Sequence, residues 1–301
     1  MFKHLSLAVF LLALGCMTGA HAQAGGDKQE HSSEQLEASL KMQSGKINLP
    51  GGMATLNLPD TFRYLSPQDA ERLLVEGWGN PPGNESLGMI VPASGVMSKD
   101  GWGVIITYEA DGHVKDSDAD TIKYDELLKD MQESVAEQNS ERKSQGYAAM
   151  SLVGWAEKPS YEKATHKLLW AKELAVVGET EHSLNYNIRV LGRQGVLVLN
   201  AVASMDQIAN IRQEMRKVTA FSDFTPGNRY ADYNPSTDKA AEYGLAALVA
   251  GGVAAKMGLF GKLFALLLAF KKLIIIGFLA AGGALVNFFR GKSKDKVDLS
   301  K

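Results

Sequence analysis

The stretch LNYNIRVL, residues 184–191, decides the fold class of this chain. Apolar or aromatic side chains occupy alternate positions, and Asn185, Asn187 and Arg189 stand between them. This period of two is typical of a half-buried strand in an antiparallel sheet. The next four residues, GRQG, predict a hairpin turn into a second strand-like run at residues 196–203.

Similar strand-like runs recur elsewhere in the chain, and short connections join them. Strand character is found at residues 46–49, 53–58, 87–91, 103–109, 149–155 and 168–176. Helical patterns occupy residues 67–76, after a Ser66-Pro67 start signal, 125–142 and 206–218. We expect an α+β fold with a mainly antiparallel sheet, two or three helices and a C-terminal transmembrane helix.

The C-terminal helix is predicted at residues 273–289, LIIIGFLAAGGALVNFF, which carry no charge. About 20 apolar helical residues cross a bilayer core. Residues 240–272 are also apolar but contain Lys256 and Lys262, so they predict a small-residue or amphipathic membrane-proximal helix. A second span through this segment stays open. The basic tail, residues 290–301, favours one span with a cytoplasmic end.

The N-terminus has the layout of a secretory signal peptide at residues 1–22, with an apolar core and a small-residue cleavage site, Ala20-His21-Ala22. An uncleaved anchor and lipidation at Cys16, the single cysteine, are the alternatives. Residues 23–45 are predicted as a polar lead segment and 46–225 as the extracytoplasmic domain. Residues 226–239, rich in Pro, Asn and Asp, are predicted as a linker.

The charge distribution restricts the partners. Residues 23–239 carry 22 Lys and Arg against 31 Asp and Glu, whereas residues 240–301 carry nine against three. An acidic body is unsuited to nucleic-acid phosphates, so nucleic acid is not expected as a partner. Without a second cysteine, the chain has no internal disulfide and no thiolate metal cluster.

No catalytic signature is present, and no catalytic, cofactor-binding or metal-ligating residue is assigned. The most site-like stretch is Asp116-Ser-Asp118-Ala-Asp120, whose carboxylates suit a hard cation. The calcium-loop pattern fails, however, because Thr121 stands where a turning glycine is needed and Leu127 where a glutamate is needed. The histidines that follow the predicted signal peptide show no metal-ligand spacing; they are His31, His113, His166 and His182.

Two further groups have a functional and a structural interpretation. Four tryptophans of the body could line a sugar or peptide groove, but core or sheet-face positions are favoured; they are Trp78, Trp102, Trp155 and Trp170. Arg189 and Arg193, near one hairpin, could bind an anion, although a surface ion pair is favoured.

Five motifs in this order are similar to those of the DUF2167 family of uncharacterised bacterial membrane-anchored proteins. They are Trp78-Gly-Asn-Pro-Pro82, Gly112-His-Val-Lys-Asp-Ser-Asp-Ala119, Gly154-Trp-Ala156, Leu184-Asn-Tyr-Asn187 with Leu191-Gly-Arg193, and Tyr230-Ala-Asp-Tyr233; the Ala/Gly-rich end from Tyr243 follows them. The resemblance covers residues 46–290. It implies export and a membrane anchor but no activity, cofactor or partner. His113 departs from the family pattern, where an aromatic residue such as Tyr is expected.

The sequence therefore predicts a non-enzymatic periplasmic domain, anchored in the bacterial inner membrane, that binds another envelope component. The lipid bilayer is one expected partner, and another envelope protein is a second. Self-association through Ala247, Gly251 and Ala255, spaced four residues apart, is a third. The alternative function is an envelope hydrolase or other enzyme that uses the acidic cluster near Asp116 with a nearby histidine.

Overall fold

The computed structural model describes residues 26–251 apart from residues 81, 99, 100 and 145, and it describes residues 26–32 by their backbone alone. The strands of this region are β1 Gly45–Asn48, β2 Ala54–Leu58, β3 Phe62–Leu65, β4 Gly88–Pro92, β5 Gly103–Glu109, β6 His113–Lys115, β7 Met150–Glu162, β8 Lys167–Val176, β9 Ser183–Leu191, β10 Val196–Ser204, β11 Ser222–Phe224 and β12 Ala240–Gly244. The α-helices are α1 Gly26–Ser39, α2 Pro67–Arg72, α3 Tyr124–Ser144, α4 Ile208–Phe221 and α5 Leu245–Ala250.

The prediction of an α+β fold with mainly antiparallel sheets is confirmed. The main sheet has the order β3-β4-β5-β10-β9-β8-β7, and all its neighbouring strands run antiparallel. A smaller antiparallel sheet has the order β1-β2-β11, and β12 pairs in parallel with β6. The described residues form five α-helices, more than the two or three that were expected. Helix α1 lies in the segment predicted as a polar lead, and α5 is only six residues long.

The predicted hairpin after residues 184–191 is confirmed. Strand β9 pairs with β10, so that Ile188 lies opposite Leu199, and the Gly192 N–H donates to the Gly195 carbonyl at 2.8 Å. The predicted start of α2 is also confirmed. The hydroxyl of Ser66 accepts from the Asp69 N–H, and Pro67 begins the helix, where its missing N–H costs no hydrogen bond.

The main sheet is covered on both faces. One face packs against α4 and the smaller sheet, and includes Tyr186, Ile188 and Leu199. The opposite face carries two apolar clusters. One, including Trp170, packs against α3 and α5, and the other, including Met89, packs against α1 and α2. The alternate apolar positions of each strand therefore enter different layers.

The prediction that residues 184–191 form a half-buried strand was wrong. Asn185, Asn187 and Arg189 are only 7%, 4% and 8% exposed. Period-two patterning places them correctly on the face opposite Tyr186, but helices cover that face as well. Three polar residues are thus buried at the centre of the sheet.

The segment predicted as a linker, residues 226–239, instead packs on the domain. The turn Tyr230–Asp232 is 3₁₀-helical, and Arg193 forms a bidentate ion pair with Asp238 at 2.7 and 3.0 Å. Residues 240–244 then form β12 rather than the start of a helix. In α5, Leu245, Leu248 and Val249 are buried, so the ordered domain extends past residue 225 to the end of that helix.

The remaining membrane predictions fall largely outside the described residues. These are the signal peptide at 1–22, most of the segment at 240–272, the span at 273–289 and the tail at 290–301. Within the part of the chain that is described, no helix combines the length and apolar character needed to span a membrane.

Candidate functional site

The three aspartates of the acidic stretch have separate roles. The Asp118 carboxylate accepts the backbone N–H groups of Leu245 and Ala246 at 3.0 and 3.1 Å, which attaches α5 to the loop after β6. Asp120 pairs with Lys163 at the surface. Asp116 alone lies beside a histidine. Across the described residues, no three His, Cys, Asp or Glu side chains are grouped so that they could hold a metal ion.

Asp116 is the end of a short hydrogen-bonded chain. The Tyr161 hydroxyl donates to Asp116 Oδ2 at 2.8 Å and lies 3.1 Å from His166 Nδ1. Because the hydroxyl proton is directed at the carboxylate, His166 Nδ1 carries a proton and donates it to the Tyr161 oxygen. The order is therefore imidazole, phenol, carboxylate, and it links the end of β7 with the loop after β6.

Four rings stack in a column beside this chain, in the order His166, Tyr230, His113, Tyr233. The successive centroid distances are 3.9, 4.2 and 3.9 Å. His113 is 5% exposed and its Nδ1 lies 3.3 Å from the Gly192 carbonyl oxygen. We call these four residues with Tyr161 and Asp116 the histidine–tyrosine cluster.

Backbone geometry places the members of the cluster. His166 ends the tight turn between β7 and β8 with φ of 53°, a left-handed conformation that is uncommon for a residue other than glycine. Tyr230 begins the 3₁₀ turn and Tyr233 directly follows it, and the Arg193–Asp238 ion pair holds this segment against the β9–β10 hairpin. Segments far apart in sequence therefore meet at one point.

The electrostatic environment keeps Asp116 ionised. Burial alone would raise its carboxyl pKa, but hydrogen bonds from Tyr161 and Tyr230 bring that pKa below its ordinary value. For His113, burial is the largest cause of a lowered pKa, and the neighbouring His166 lowers it further. The cluster thus combines a stabilised carboxylate with a buried imidazole that resists protonation.

Asp116→Asn is expected to reduce the free energy of unfolding by about 1–3 kcal/mol at neutral pH, because it removes a charged hydrogen-bond acceptor. The folded-state pKa of Asp116 is lowered, so its stabilisation is present above the unfolded pKa of about 3.9 and is lost as the pH falls. Urea denaturation between pH 3 and 7 measures this. Asp120→Asn, which breaks an exposed ion pair, is the control and should cost below about 1 kcal/mol. Equal losses in both variants would contradict the role assigned to Asp116.

The sequence-based alternative paired the acidic cluster near Asp116 with a nearby histidine, but it did not specify His113 or His166. Tyr161, Tyr230 and Tyr233 were not identified as site residues. Tyr230 and Tyr233 had one signal, because they fall within the family-like motif Tyr230–Tyr233, whereas Tyr161 lies outside all the family-like motifs. The order of motifs along the chain gives no distances between them, so stacking between rings of different motifs could not be predicted.

The two arginines near the hairpin have different environments. Arg193 pairs with Asp238, as favoured from the sequence. Arg189 is buried instead, with its guanidinium 4.9 Å from the centre of the Trp170 ring. Trp102 and Trp170 are core residues, 4% and 1% exposed. Arg189 therefore lies within the covered face of the sheet and not in a surface ion pair.

Comparison with known proteins identifies the family. The sequence pattern of DUF2167, a family of proteins of unknown function, matches residues 41–282. This chain belongs to the DUF2167 family. Among curated proteins, none matches it.

Solved structures share only a general likeness with this DUF2167 protein. The cyanobacterial PsbP of Synechocystis is 14% identical, with 62% of this chain and 94% of that chain covered and a TM-score of 0.33. The Ran-binding protein Mog1p of Saccharomyces cerevisiae is 9% identical, with 65% and 100% covered and a TM-score of 0.33. LpqN of Mycobacterium tuberculosis, involved in cell envelope biogenesis, is 13% identical, with 64% and 96% covered and a TM-score of 0.31.

Proposed function

We propose that this protein is a periplasmic binding domain, anchored in the inner membrane, that recognises another component of the bacterial envelope. Export and anchoring are inferred from the signal-peptide layout at residues 1–22 and the uncharged apolar run at 273–289. The binding role rests on one structural observation. Arg189 is buried on the sheet without an ion pair to any described residue.

Buried polar groups without partners are costly, and an unpaired buried charge is costlier still. A protein that needed only a stable core would place an apolar side chain at position 189. The charge lies among polar side chains on a face covered by α3 and α5, and a buried charge kept without a counter-ion is typical of a site that recognises a ligand. Binding is favoured over catalysis because an arginine stays charged and can hold an anion, but it is not suited to act as a general acid or base.

Membrane topology tests the export and anchoring. An alkaline phosphatase fused after Gly251, which follows the folded α5, should be active, and one fused after Lys301 should be inactive. Activity at both positions would indicate two spans. Inactivity at both would refute export, and with it the proposed location.

Site-specific photo-crosslinking in intact cells tests the binding role. A photoreactive residue at Thr107, which lies on β5 opposite Val198, faces the same side of the sheet as Arg189. It should form a defined adduct with an envelope component. The same residue at Val177, 70% exposed beyond the end of β8, is the control and should form none. An absence of adducts at Thr107 would contradict the binding role.

An envelope hydrolase is the second candidate, favoured by the contact chain of Asp116, Tyr161 and His166. In that case Asp116→Asn and His166→Asn should abolish release of soluble products from isolated envelopes by the full-length protein. Asp120→Asn should leave the release unchanged, because the described ion pair of Asp120 is with the surface residue Lys163 and not with the cluster. No release by the unsubstituted protein would exclude this candidate.

A further inference from the structure

A row of polar side chains crosses the covered face of the main sheet. Lys172 of β8 lies opposite Asn185 of β9, and Asn200 of β10 lies opposite Asn187. Arg189 is the next residue on the same face of β9. We call these five residues the polar strip. Consecutive same-face residues of one strand are about 6.6 Å apart, so the strip is about 13 Å long.

Arg189 forms one end of the strip. It is 8% exposed, and its Nε has no hydrogen-bond partner among the described residues. Its one described hydrogen bond runs from Nη1 to the Ile188 carbonyl at 3.3 Å. Glu109 and Tyr243 are near enough to affect its pKa, but burial outweighs them and lowers it. The guanidinium thus retains donors that nothing described satisfies.

Lys172 forms the other end. Its side chain is partly exposed, and no described residue forms an ion pair or hydrogen bond with its ammonium group. Burial, and secondly the charge of Arg189, lower the pKa of Lys172 to about 8. Arg189 is the only charged group in the described region that shifts this pKa appreciably. The two cations therefore repel each other, and the Glu109 carboxylate acts on Arg189 but not appreciably on Lys172.

The asparagines between the cations add neutral donors. The Asn187 amide donates to Asn185 Oδ1 at 2.8 Å, and the Asn185 amide donates to Asn200 Oδ1 at 2.8 Å. This chain uses the acceptor oxygens of Asn185 and Asn200 and leaves the Asn200 amide nitrogen without a described partner. Between the cations, the Asn200 amide nitrogen remains as a donor and the Asn187 Oδ1 remains as an acceptor among the described contacts.

We propose that the polar strip binds an oxyanion, a phosphate, sulfate or carboxylate group of the envelope component. This proposal rests on the proposed binding function and names its ligand class. An anion between Arg189 and Lys172 accepts from unsatisfied donors and removes the repulsion between two cations. Trp170, beneath the guanidinium at 4.9 Å, holds Arg189 in place for this contact.

Sulfate is a suitable probe, because it stays doubly charged from pH 5 to 11. The full-length protein in a non-ionic detergent should bind sodium sulfate saturably in calorimetry, beyond any effect of sodium chloride at equal ionic strength. Lys172→Gln and Arg189→Gln should each weaken binding about tenfold or more. Lys46→Gln, an exposed lysine on β1, is the matched control and should bind within twofold of the unsubstituted protein.

Arg189→Lys separates folding from binding, since it keeps the charge but loses the planar donor fork. It should bind sulfate more weakly than the unsubstituted protein and more tightly than Arg189→Gln. If sulfate does not bind saturably, or if Lys172→Gln binds as tightly as Lys46→Gln, the proposal is overturned. If Arg189→Gln fails to fold, the comparison of Lys172→Gln with Lys46→Gln still tests whether the polar strip binds sulfate.

The pH dependence gives an independent test on the unsubstituted protein. Sulfate binds the protonated form of Lys172, whose pKa without ligand is about 8. Affinity should therefore be constant below pH 7 and fall by up to about tenfold per pH unit above pH 8. Lys172→Gln should show no such fall. A flat profile from pH 6 to 10 in the unsubstituted protein would exclude Lys172 from the site.

Two sources of the oxyanion can be distinguished. Micelles doped with phosphatidylglycerol should compete with sulfate if a lipid headgroup occupies the strip, and should leave the affinity for sulfate unchanged if the ligand is soluble.

The ligand class and the binding function can fail separately. Failure of sulfate binding with intact Thr107 crosslinking would reject only the ligand class. Failure of crosslinking with intact sulfate binding would reject the envelope partner.

Discussion

Trp170→Ala is expected to lower the free energy of unfolding by about 3–5 kcal/mol. Trp170 is 1% exposed at the centre of the cluster beneath α3 and α5. Truncation removes the ring from its packing, leaves a cavity between β8 and the helices, and deprives Arg189 of the surface on which its guanidinium rests. Urea denaturation followed by far-ultraviolet circular dichroism measures the loss without depending on tryptophan fluorescence.

Trp170→Phe is the matched variant for Trp170→Ala, because it keeps an aromatic ring at this position. The indole Nε1 is buried and has no hydrogen-bond partner among the described residues, so phenylalanine forfeits no hydrogen bond. We expect it to retain more than half of the stabilisation. Val177→Ala, at a position 70% exposed, should change the free energy of unfolding by less than about 0.5 kcal/mol. A Trp170→Ala loss as small as that of Val177→Ala would mean that Trp170 does not support the core.

Local patterns were sufficient for most of the main sheet. The run at residues 103–109 coincides with β5, and the predicted strands at 168–176 and 184–191 begin one residue after β8 and β9 begin. Turn residues and period-two alternation are local signals, and both belong to these hairpins. Strands β6 and β11 escaped detection because three residues are too few to show a period.

The same local patterns could not predict which polar residues are buried or which distant segments of the chain meet. Asn185 and Arg189 look like solvent-facing residues until α3 and α5 are placed over that face of the sheet. Tyr230 lies in a segment whose Pro, Asn and Asp content is typical of a linker, yet it stacks between two histidines. Such contacts depend on how distant segments fold together, whereas the amino-acid composition of a segment indicates only its local structural preference.

Gly112→Ala is expected to be the second most damaging substitution, at about 3 kcal/mol. Gly112 has φ of +111°, where a side chain costs about 1–3 kcal/mol in strain. An added Cβ would also lie 2.6 Å from the Lys239 carbonyl oxygen, which accepts the His113 N–H at 2.9 Å. That backbone oxygen cannot withdraw unless β12 separates from β6, and the overpacking costs about 1–3 kcal/mol more.

Gly178→Ala separates the two causes of this loss. Gly178 also has positive φ, +99°, but an added Cβ there would meet nothing within 4 Å, so only backbone strain is incurred. Urea denaturation should therefore show a loss for Gly112→Ala about twice that for Gly178→Ala. Amide exchange should quicken selectively in α5, because Asp118, which caps that helix, lies three residues after the end of β6. Equal losses in the two variants would show that the close approach of the Lys239 carbonyl oxygen to Gly112 adds nothing to the backbone strain.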